Sequence, residues 1–529
     1  MRSDAARRQH WTLPDSRIGE KPESAPVNVD WLIDNSEAYD SLIHAVRDAR
    51  NSIWISQLAF DADCRAHSID DASLENAKAG ESLLDAILEA SEEHRVGVRI
   101  LLNSTLLLDT KRPLTRFLAG CKRDSPLVEV RGVSRFPQLL HAKMVIIDER
   151  RAFLMGSPFV NGYWDDPSHC PMDLRRPPRE LGGRPVHDVS VALRGPVVHE
   201  LAEVFSRLWK GAEKQERRSN TVESIGSAVP SLSKSRPASA RNIEVVTTQP
   251  AGALGARNVS TRGTLDALLE GIEQARSLIY VEHQYLSSRA VAEALRAALV
   301  REQALEVILV LNQNPDVTAY RRWQDARLAE SGLLGHPRVG AFTLWAAGSR
   351  GAGRCGINQV FVHSKVVIVD DAWAMVGSAN LDGASLDSYG DDFTSRLGHR
   401  VFRDVRNFDV SVVIGANLKS ASPTNPIPEL RRRLWTEHLG DHSSNAPEEL
   451  RVGDWRALAS RNVAMLNDIA CSQSSDPMGS FILPYSKRLS PRDQLADIGV
   501  RHLDPIDLRF DPGWLELRFS PNWIRNMFL

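Results

Sequence analysis

The sequence lacks any long apolar run. A helix needs about 20 consecutive apolar residues to cross a bilayer, and no such run occurs, so we predict no transmembrane segment. The first residues, MRSDAARRQHWTLPDS, are charged and have no apolar core. They do not predict a cleavable secretory signal, which leaves a cytoplasmic protein or one exported without such a signal, for example as a delivered effector.

Cysteine is scarce, and the five that occur form no C-x-x-C pair: Cys64, Cys121, Cys170, Cys355 and Cys471. An odd number also leaves at least one thiol unpaired. Scattered cysteines of this kind are typical of free thiols in a reducing compartment rather than of a disulfide framework. We predict that all five are free.

The sequence also lacks an excess of charge of either sign. Its 65 basic and 67 acidic residues give a formal net charge of −2. The chain as a whole is therefore not drawn to nucleic acid or to an anionic membrane, although a local basic pocket is compatible with these totals. With 529 residues, 42% hydrophobic and 25% charged, the composition is that of an ordinary globular protein with two or more domains.

What the sequence does contain is an internal repeat. ARNSIWISQLAF (49–60) matches ARSLIYVEHQYL (275–286), and the apolar segments VRILLN and VILVLN follow in the same order. Strands that alternate with helices and are rich in Val, Ile and Leu predict an α/β fold in which helices cover a sheet. We therefore predict two duplicated α/β halves.

The repeat and the local composition divide the chain into five segments. They are a polar N-terminal segment (1–27), a first half (28–211), a linker rich in Ser, Pro and Arg (212–242), a second half (243–440) and a C-terminal extension (441–529). The linker has few apolar residues, so we expect it to lie on the surface. The aromatic residues near the end of the extension are open to two interpretations, core packing or contact with lipid.

Each half carries one copy of the pattern H-x-K-x-x-x-x-D, HAKMVIID from His141 and HSKVVIVD from His363. Residues i and i+2 of a strand point to the same face, so His141 and Lys143 are expected to project together, as are His363 and Lys365. Both copies lie on branched apolar runs and are followed by Gly-Ser and then by a D-V-S-V strand. Two copies of the motif, each followed by the same two segments, cannot have arisen by chance.

A paired histidine and lysine suit the chemistry of a phosphodiester. One neutral histidine attacks phosphorus and becomes a phosphohistidine, while the other, protonated, gives its proton to the departing alkoxide and later takes one from water or an alcohol. Two lysines neutralise the non-bridging oxygens, a task for which other phosphodiesterases use a metal. We predict a site that needs neither a metal nor another cofactor.

Aspartates near the motifs are expected to support the histidines. Asp188 and Asp409 begin the two D-V-S-V strands, each downstream of the histidine in its own half. We predict that they orient the imidazoles, as the aspartate does in a Ser-His-Asp triad. Asp148 and Asp370 complete the catalytic motifs, and their position at the strand end favours a role in fixing the turn.

Small polar residues after each motif are candidates for phosphate contact. Ser157 and Ser378 follow glycine at the end of the next strand, and Asn380 adds an amide in the second half. We predict that all three bind phosphate. Phe159 stands in the first half where Asn380 stands in the second, so half of this phosphate cradle is expected to be apolar.

These features resemble the phospholipase D superfamily, which is defined by paired H-x-K-x-x-x-x-D motifs. The likeness covers about residues 28–440. NGYWDDP (161–167), IYVEHQYL (279–286) and RLWTEHLG (433–440) are similar to segments of eukaryotic-type phospholipases D and of phospholipase effectors that bacteria deliver into other cells. The resemblance implies α/β/α sandwich halves packed about a pseudo-twofold axis, with both motifs in one active site.

The resemblance also implies roles for individual residues. His141 would be the nucleophile and His363 the acid. His283 departs from the family, which has asparagine there. Glu282 is open to a structural or a substrate-facing role, whereas His438 is expected to pack or hydrogen-bond at the closure of the domain.

The function that the resemblance implies is that of a phospholipase D. Such an enzyme hydrolyses the distal phosphodiester of a glycerophospholipid to phosphatidic acid and a free head group, with head-group exchange when an alcohol replaces water. The partner would be membrane phospholipid, bound peripherally. A phosphatidyltransferase of the cardiolipin-synthase type, a nuclease of the same superfamily and a non-catalytic lipid-binding scaffold are the alternatives, and the balanced charge counts against the nuclease.

Overall fold

The computed structural model describes most of the chain. The described ranges are 28–67, 80–105, 108–121, 127–134, 138–177, 181–220, 243–251, 260–316, 318–349, 355–389, 403–415, 425–440, 449–468 and 480–506. The predicted N-terminal segment, residues 221–242 of the predicted linker and the aromatic C-terminal end lie outside them. None of the helices within these ranges combines the length and the apolar character needed to cross a bilayer.

In the first half, strands alternate with helices as predicted. The elements are β1 (Asn28–Ile33), α1 (Asp34–Arg47), β2 (Ser52–Ser56), β3 (Arg65–Ala66), β4 (Glu81–Ser82), α2 (Leu83–Glu93), β5 (Gly97–Asn103), α3 (Lys111–Gly120), β6 (Val128–Val133), β7 (Leu139–Leu140), β8 (Met144–Ile147), β9 (Arg151–Leu154), β10 (Val186–His187), β11 (Val189–Arg194) and α4 (Val197–Asn220).

The second half and the extension continue the same alternation. The elements are β12 (Ile243–Gln249), β13 (Thr261–Arg262), α5 (Gly263–Gln274), β14 (Leu278–His283), α6 (Arg289–Arg301), β15 (Glu306–Leu311), α7 (Thr318–Glu330), β16 (Val339–Ser349), β17 (Cys355–Gln359), β18 (Phe361–Val362), β19 (Lys365–Val369), β20 (Trp373–Gly377), β21 (Asn407–Gly415), α8 (Ile427–Leu439), α9 (Val452–Asp468), β22 (Ser480–Pro484), α10 (Pro491–Asp497) and β23 (Asp504–Pro505).

The two main sheets have the same strand order. The first runs β1-β11-β9-β8-β2-β5-β6, and the second contains the run β12-β21-β20-β19-β14-β15-β16. Each neighbouring pair also has the same direction in both runs: the first four pairs are antiparallel and the last two parallel. The predicted α/β fold is confirmed, and the strand order repeats as the sequence does.

The motif strands β8 and β19 lie in the middle of these sheets and are buried on both faces. Met144 and Ile146 belong to a large hydrophobic cluster to which both sheets, α4, α8 and α9 contribute. Val145 and Ile147, which point the other way, belong to a cluster within the first half. This alternation is why both motifs lie on continuous apolar runs, and the shared cluster holds the two halves together.

The boundaries of the predicted segments differ from the elements that form. Helix α4 continues to Asn220, past residue 212 where the linker was predicted to begin. In the extension, β22 pairs with β16 and β23 pairs with β17, so its described part enlarges the second sheet. An apolar strand can add to an exposed sheet edge whatever the origin of the sheet, and the repeat pattern alone gives no sign of this.

The prediction of five free cysteines is wrong. Cys355 is disulfide-bonded, whereas Cys64, Cys121 and Cys170 are free. Pairing depends on which strands meet in the fold, and the spacing of cysteines along the sequence does not contain that information.

The aspartate that ends each motif holds a turn. Asp148 and Asp370 have φ values of 53° and 50°, a conformation that aspartate tolerates better than most residues. The carboxylate of Asp148 accepts from the backbone N–H groups of residues 50–52 at 2.7–2.9 Å. The carboxylate of Asp370 accepts from those of residues 276–278 in the same way. Each aspartate thus ties the end of its motif strand to the start of the neighbouring strand.

Replacing Asp148 with alanine should lower the free energy of unfolding by about 1–3 kcal/mol, because three backbone N–H groups lose a charged acceptor near the surface, where water replaces part of the interaction. Equilibrium urea unfolding measures the change. Glu149→Ala is the matched control, since Glu149 also has a positive φ of 53° but is exposed and accepts none of these bonds. Equal effects of the two substitutions would contradict the role given to Asp148.

Candidate active site

The two motifs meet through short strand pairings that cross between the halves. In the first, β7 pairs in parallel with β21, Leu139 opposite Asn407 and Leu140 opposite Phe408. In the second, β10 pairs in parallel with β18. The motif histidines come immediately after β7 and β18, just before the regular motif strands begin. Each histidine therefore lies beside a residue of the other half, His141 beside Asp409 in β21 and His363 beside Asp188, which directly precedes β11.

The crossed pairings join each histidine to an aspartate of the opposite half. His141 Nδ1 lies 2.6 Å from Asp409 Oδ1, and His363 Nδ1 lies 2.8 Å from Asp188 Oδ2. We expected each aspartate to serve the histidine of its own half, and that pairing is wrong. The physical reason is the register of the parallel bridges, in which the next residue after Leu140 faces the next residue after Phe408.

The serines contact these aspartates. The hydroxyl of Ser157 donates to Asp188, and that of Ser378 donates to Asp409 at 2.9 Å. Both serines are fully buried, and their contact with phosphate stays a prediction. Position 156 requires glycine, because a Cβ there would overlap the carboxylate of Asp188.

Two asparagines that the sequence reasoning missed hold the backbone just before each histidine. Asn103 donates to the carbonyl of Leu140 and accepts from its N–H, both at 2.9 Å. Asn312 makes the same pair of bonds with Val362 at 2.6 and 2.8 Å. A signal was present, since VRILLN and VILVLN both end in asparagine at the same point of the repeat.

Asn380 and Phe159 differ in environment as well as in chemistry. The side-chain oxygen of Asn380 is buried and has no hydrogen-bond partner among the described residues, so this amide is available to a ligand and its phosphate contact stays a prediction. Phe159 packs edge-on against Phe60 and Tyr39, with ring centroids 5.0 and 5.9 Å away. Its side chain lies in the core of the first half, so the expected apolar half of a phosphate cradle is wrong.

The lysines lie against the histidines with which they share a motif. Lys143 Nζ is 3.1 Å from His141 Nε2, and Lys365 Nζ donates to the backbone carbonyl of His363. Burial lowers the pKa of Lys365 to about 8. Burial and the charge of Lys365 lower the pKa of Lys143 well below its ordinary value. The two ammonium groups therefore lie close enough to repel each other, and an anion between them would relieve that repulsion.

Both imidazoles are held neutral at pH 7. Burial and the charge of Lys143 lower the pKa of His141 to about 4. Burial and the charge of Lys365 lower that of His363 to about 3. The lysine of the opposite half also contributes in each case, which indicates one shared electrostatic site. With an aspartate at Nδ1 of each ring, the Nε2 atoms carry the lone pairs.

Aromatic and further histidine side chains surround this centre. Tyr163, in the loop after the first motif, packs edge-on against His363 with ring centroids 4.9 Å apart. His283 lies on β14 opposite Lys365. Its ring nitrogens have no partner among the described residues, and burial and the charge of Lys365 hold its pKa well below the ordinary value. His283 therefore adds a neutral polar ring next to the second motif.

Comparison with known proteins agrees with this geometry. The family model described as "Cardiolipin synthase, PLD-like domain" matches residues 268–394, which contain the second motif. Phospholipase D alpha 4 of Arabidopsis thaliana is 36% identical over 147 residues, 27% of this chain and 17% of that protein. Phospholipase D alpha 1 of Ricinus communis is 22% identical over 422 residues, 58% of this chain and 50% of that protein. The family model and these relatives support membership of the phospholipase D superfamily.

The alignments span half or less of the length of these two relatives. Among solved structures, the phosphatidylserine synthase of Haemophilus influenzae Rd KW20 aligns at 14% identity with a TM-score of 0.47. That alignment covers 77% of this chain and 85% of that one.

The remaining segments that resemble the superfamily form a buried network behind the site. Glu282 accepts from the hydroxyl of Tyr280 at 2.6 Å and contacts His438 Nε2 at 2.7 Å. Trp435 packs against Tyr280 and Trp455. Burial opposes the charge of Glu282, but the charges of His187 and His438 outweigh it and hold its pKa well below the ordinary value. These buried contacts favour the structural role for Glu282 and agree with the expected hydrogen bonding of His438.

Activity measured as kcat/KM should rise as the pH falls from 7 to 5, by up to about tenfold per pH unit, because only a small fraction of free molecules carries the proton that His363 must donate. A bound phosphodiester anion raises the imidazole pKa values, so the kcat profile should lie at higher pH than the kcat/KM profile. A short-chain, water-soluble phospholipid allows both profiles to be measured. A kcat/KM that falls between pH 7 and 5, with full recovery on return to pH 7, would contradict the account.

Proposed function

We propose that the protein is a phospholipase D-type phosphodiesterase that acts on the distal phosphodiester of glycerophospholipids through a phosphohistidine intermediate. The observation that carries the proposal is the crossed site itself. Two neutral imidazoles, each oriented at Nδ1 by a buried aspartate of the other half, lie beside two buried lysines. Double displacement at phosphorus needs these groups in this arrangement.

The first step transfers the phosphatidyl group to the enzyme. Binding of the anionic phosphodiester favours protonation of His363 at Nε2. Nε2 of neutral His141 then attacks phosphorus, the bond from phosphorus to the head-group oxygen breaks, and His363 gives the leaving oxygen its Nε2 proton. Asp409 holds the Nδ1 proton of His141 and stabilises the positive charge that develops on its ring, as the triad aspartate does. Asp188 does the same for His363.

The second step releases the product. His363, now neutral, takes a proton from a water molecule, whose oxygen attacks phosphorus while the bond to His141 breaks. The product is phosphatidic acid, and both histidines return to their starting state. An alcohol in place of water gives a phosphatidyl alcohol by the same proton transfers.

Lys143 and Lys365 supply the electrostatic part of the rate enhancement. In both steps negative charge increases on the non-bridging oxygens, and two fixed ammonium groups stabilise it without a metal. The lysines are positioned in advance, since Lys143 is fully buried and Lys365 is 2% exposed. Their mutual repulsion in the empty site favours an anionic substrate.

A lipid substrate is supported by the segment that carries Tyr163. Met172 and Leu174, nine and eleven residues beyond Tyr163 in the same loop, are 53% and 61% exposed. Between them, Asp173 is fixed by hydrogen bonds of 2.7–3.0 Å from Arg175. Exposed apolar side chains on a fixed loop next to a phosphodiester site are suited to contact with acyl chains at a membrane surface.

A phosphatidyltransferase is the second candidate. It is favoured by the matching family model, whose description names cardiolipin synthase. The first step and all the residues above are the same for both candidates. They differ only in the acceptor of the second step, which is water in the hydrolase and the hydroxyl of a second lipid in the transferase.

With mixed phospholipid vesicles, the purified protein should release head groups and form phosphatidic acid, and a little primary alcohol should divert part of the product to phosphatidyl alcohol. His141→Ala and His363→Ala should each lower turnover by at least about 10³-fold. His44→Ala is the control, because His44 is exposed on α1, away from the motifs.

Three outcomes would contradict the proposal. Transfer only to a lipid hydroxyl, with no phosphatidic acid in water, would indicate the transferase. Cleavage of single- or double-stranded DNA without lipid turnover would indicate a nuclease. Lipid binding without turnover of any substrate would indicate a scaffold.

A further inference from the structure

A second group of buried ionisable side chains lies behind the reacting histidines and takes no part in the steps above. It contains Asp34 at the start of α1, His169 in the loop after β9, His187 at the end of β10, and Glu437 on α8. The first three belong to the first half and Glu437 to the second. One ligating atom from each lies within 4.8 Å of the others.

The separations of these atoms match those of ligands around a single metal ion. His187 Nδ1 lies 2.8 Å from Glu437 Oε1 and 3.1 Å from Asp34 Oδ1. His169 Nε2 lies 3.1 Å from Glu437 Oε1 and 3.9 Å from Asp34 Oδ2. Tetrahedral ligands at about 2.0–2.1 Å from Zn²⁺ are about 3.3 Å apart, and the four observed distances scatter on both sides of this value.

One hydrogen bond joins two of the four residues, between His169 Nε2 and Glu437 Oε1 at 3.1 Å, but it does not account for the convergence of the others. Both ring nitrogens of fully buried His187 lie within 3.1 Å of carboxylate oxygens, yet neither makes a hydrogen bond of acceptable geometry. Oδ2 of Asp34, which is 1% exposed, also has no hydrogen-bond partner among the described residues. Buried polar atoms in this condition require a partner, and Asp34 and His187 both belong to the group whose ligating atoms lie within 4.8 Å of one another.

The second ring nitrogen of each histidine lies close to a further carboxylate. His169 Nδ1 is 2.9 Å from Asp165 Oδ2, which also accepts from the backbone N–H of Val186 at 2.7 Å. His187 Nε2 is 2.8 Å from Glu282 Oε1. A carboxylate behind the ring is the usual outer partner of a metal-bound histidine, because it fixes the ring and makes the ligating nitrogen more basic.

We propose that Asp34, His169, His187 and Glu437 bind one divalent transition-metal ion, of which Zn²⁺ suits the two imidazoles and two carboxylates best. All four side chains are buried or nearly so, and four protein ligands are typical of a structural ion that has no open position for substrate. The ion would fasten α8 of the second half to three segments of the first. This proposal is independent of the proposed function.

Such an ion would also position the catalytic centre. His187 directly precedes Asp188 in the chain. The backbone N–H of Asp34 donates to the backbone carbonyl of Asp188 at 2.8 Å, and the backbone N–H of Asp188 donates to Oδ1 of Asp34 at 3.2 Å. The backbone carbonyl of His187 accepts from His363 N–H at 2.7 Å. The metal would therefore fix the strand end that orients His363, without touching the substrate.

The first test is the metal content of the full chain, purified without chelator or polyhistidine tag from medium supplemented with zinc. Mass spectrometry of the elements should find about one zinc per chain in the wild type and in Glu429→Gln, and less than about 0.2 in Glu437→Gln and His169→Gln. Glu429 is the matched control because it is exposed on the same helix as Glu437. Retention of zinc by Glu437→Gln would overturn the assignment.

The second test uses the wild type alone and does not depend on how well a variant folds. After removal of metal with a chelator, added Zn²⁺ should raise the melting temperature, since an ion that binds the native state stabilises it by mass action. Added Co²⁺ should produce the intense visible absorption of a tetrahedral site. The proposal would be wrong if the protein contains no metal as purified and responds to neither ion. In that case hydrogen bonds and ion pairs among the four side chains would stabilise the cluster without a metal.

Discussion

Two short parallel strand pairings between the halves determine the site. Because Leu139 and Leu140 pair with Asn407 and Phe408, the next residue on each strand is placed side by side, and those residues are His141 and Asp409. The pairing of β10 with β18 repeats the arrangement for Asp188 and His363. Neither half alone contains an oriented histidine. The large cluster shared by both sheets is what keeps these small bridges in register.

The same contacts determine the electrostatics. Burial of two lysines and two histidines is costly, and the structure offsets the cost with two buried aspartates, each held by a serine hydroxyl. Burial raises the pKa of Asp188, but the contact and hydrogen bond with His363 and the charge of Lys365 outweigh it and bring the pKa to about 2. The result is a buried, pre-organised site in which both imidazoles are neutral and a lysine lies beside each of them.

The sequence predicts the parts of the site better than their connections. The repeated order of strands and the residues His141, Lys143, His363 and Lys365 are visible because local periodicity and motif spacing are properties of one segment at a time. The crossed partners of the histidines, the use of the serines and the disulfide at Cys355 depend on how separate segments meet, which no local pattern contains. Asn103, at the end of β5, and Asn312, directly after β15, were predictable only in part. Their repetition was visible, but their bonds to the residue before each histidine needed the fold.

The central claim is that each motif histidine is oriented by the aspartate of the opposite half. Nitrogen-15 NMR of the histidine rings tests it most directly, because the shifts of Nδ1 and Nε2 report which nitrogen carries the proton. The account predicts that Asp409→Asn alters the ring nitrogens of His141 and leaves those of His363 unchanged, and that Asp188→Asn does the reverse. If Asp188→Asn instead alters the ring of His141, the halves do not cross as described and the account is contradicted.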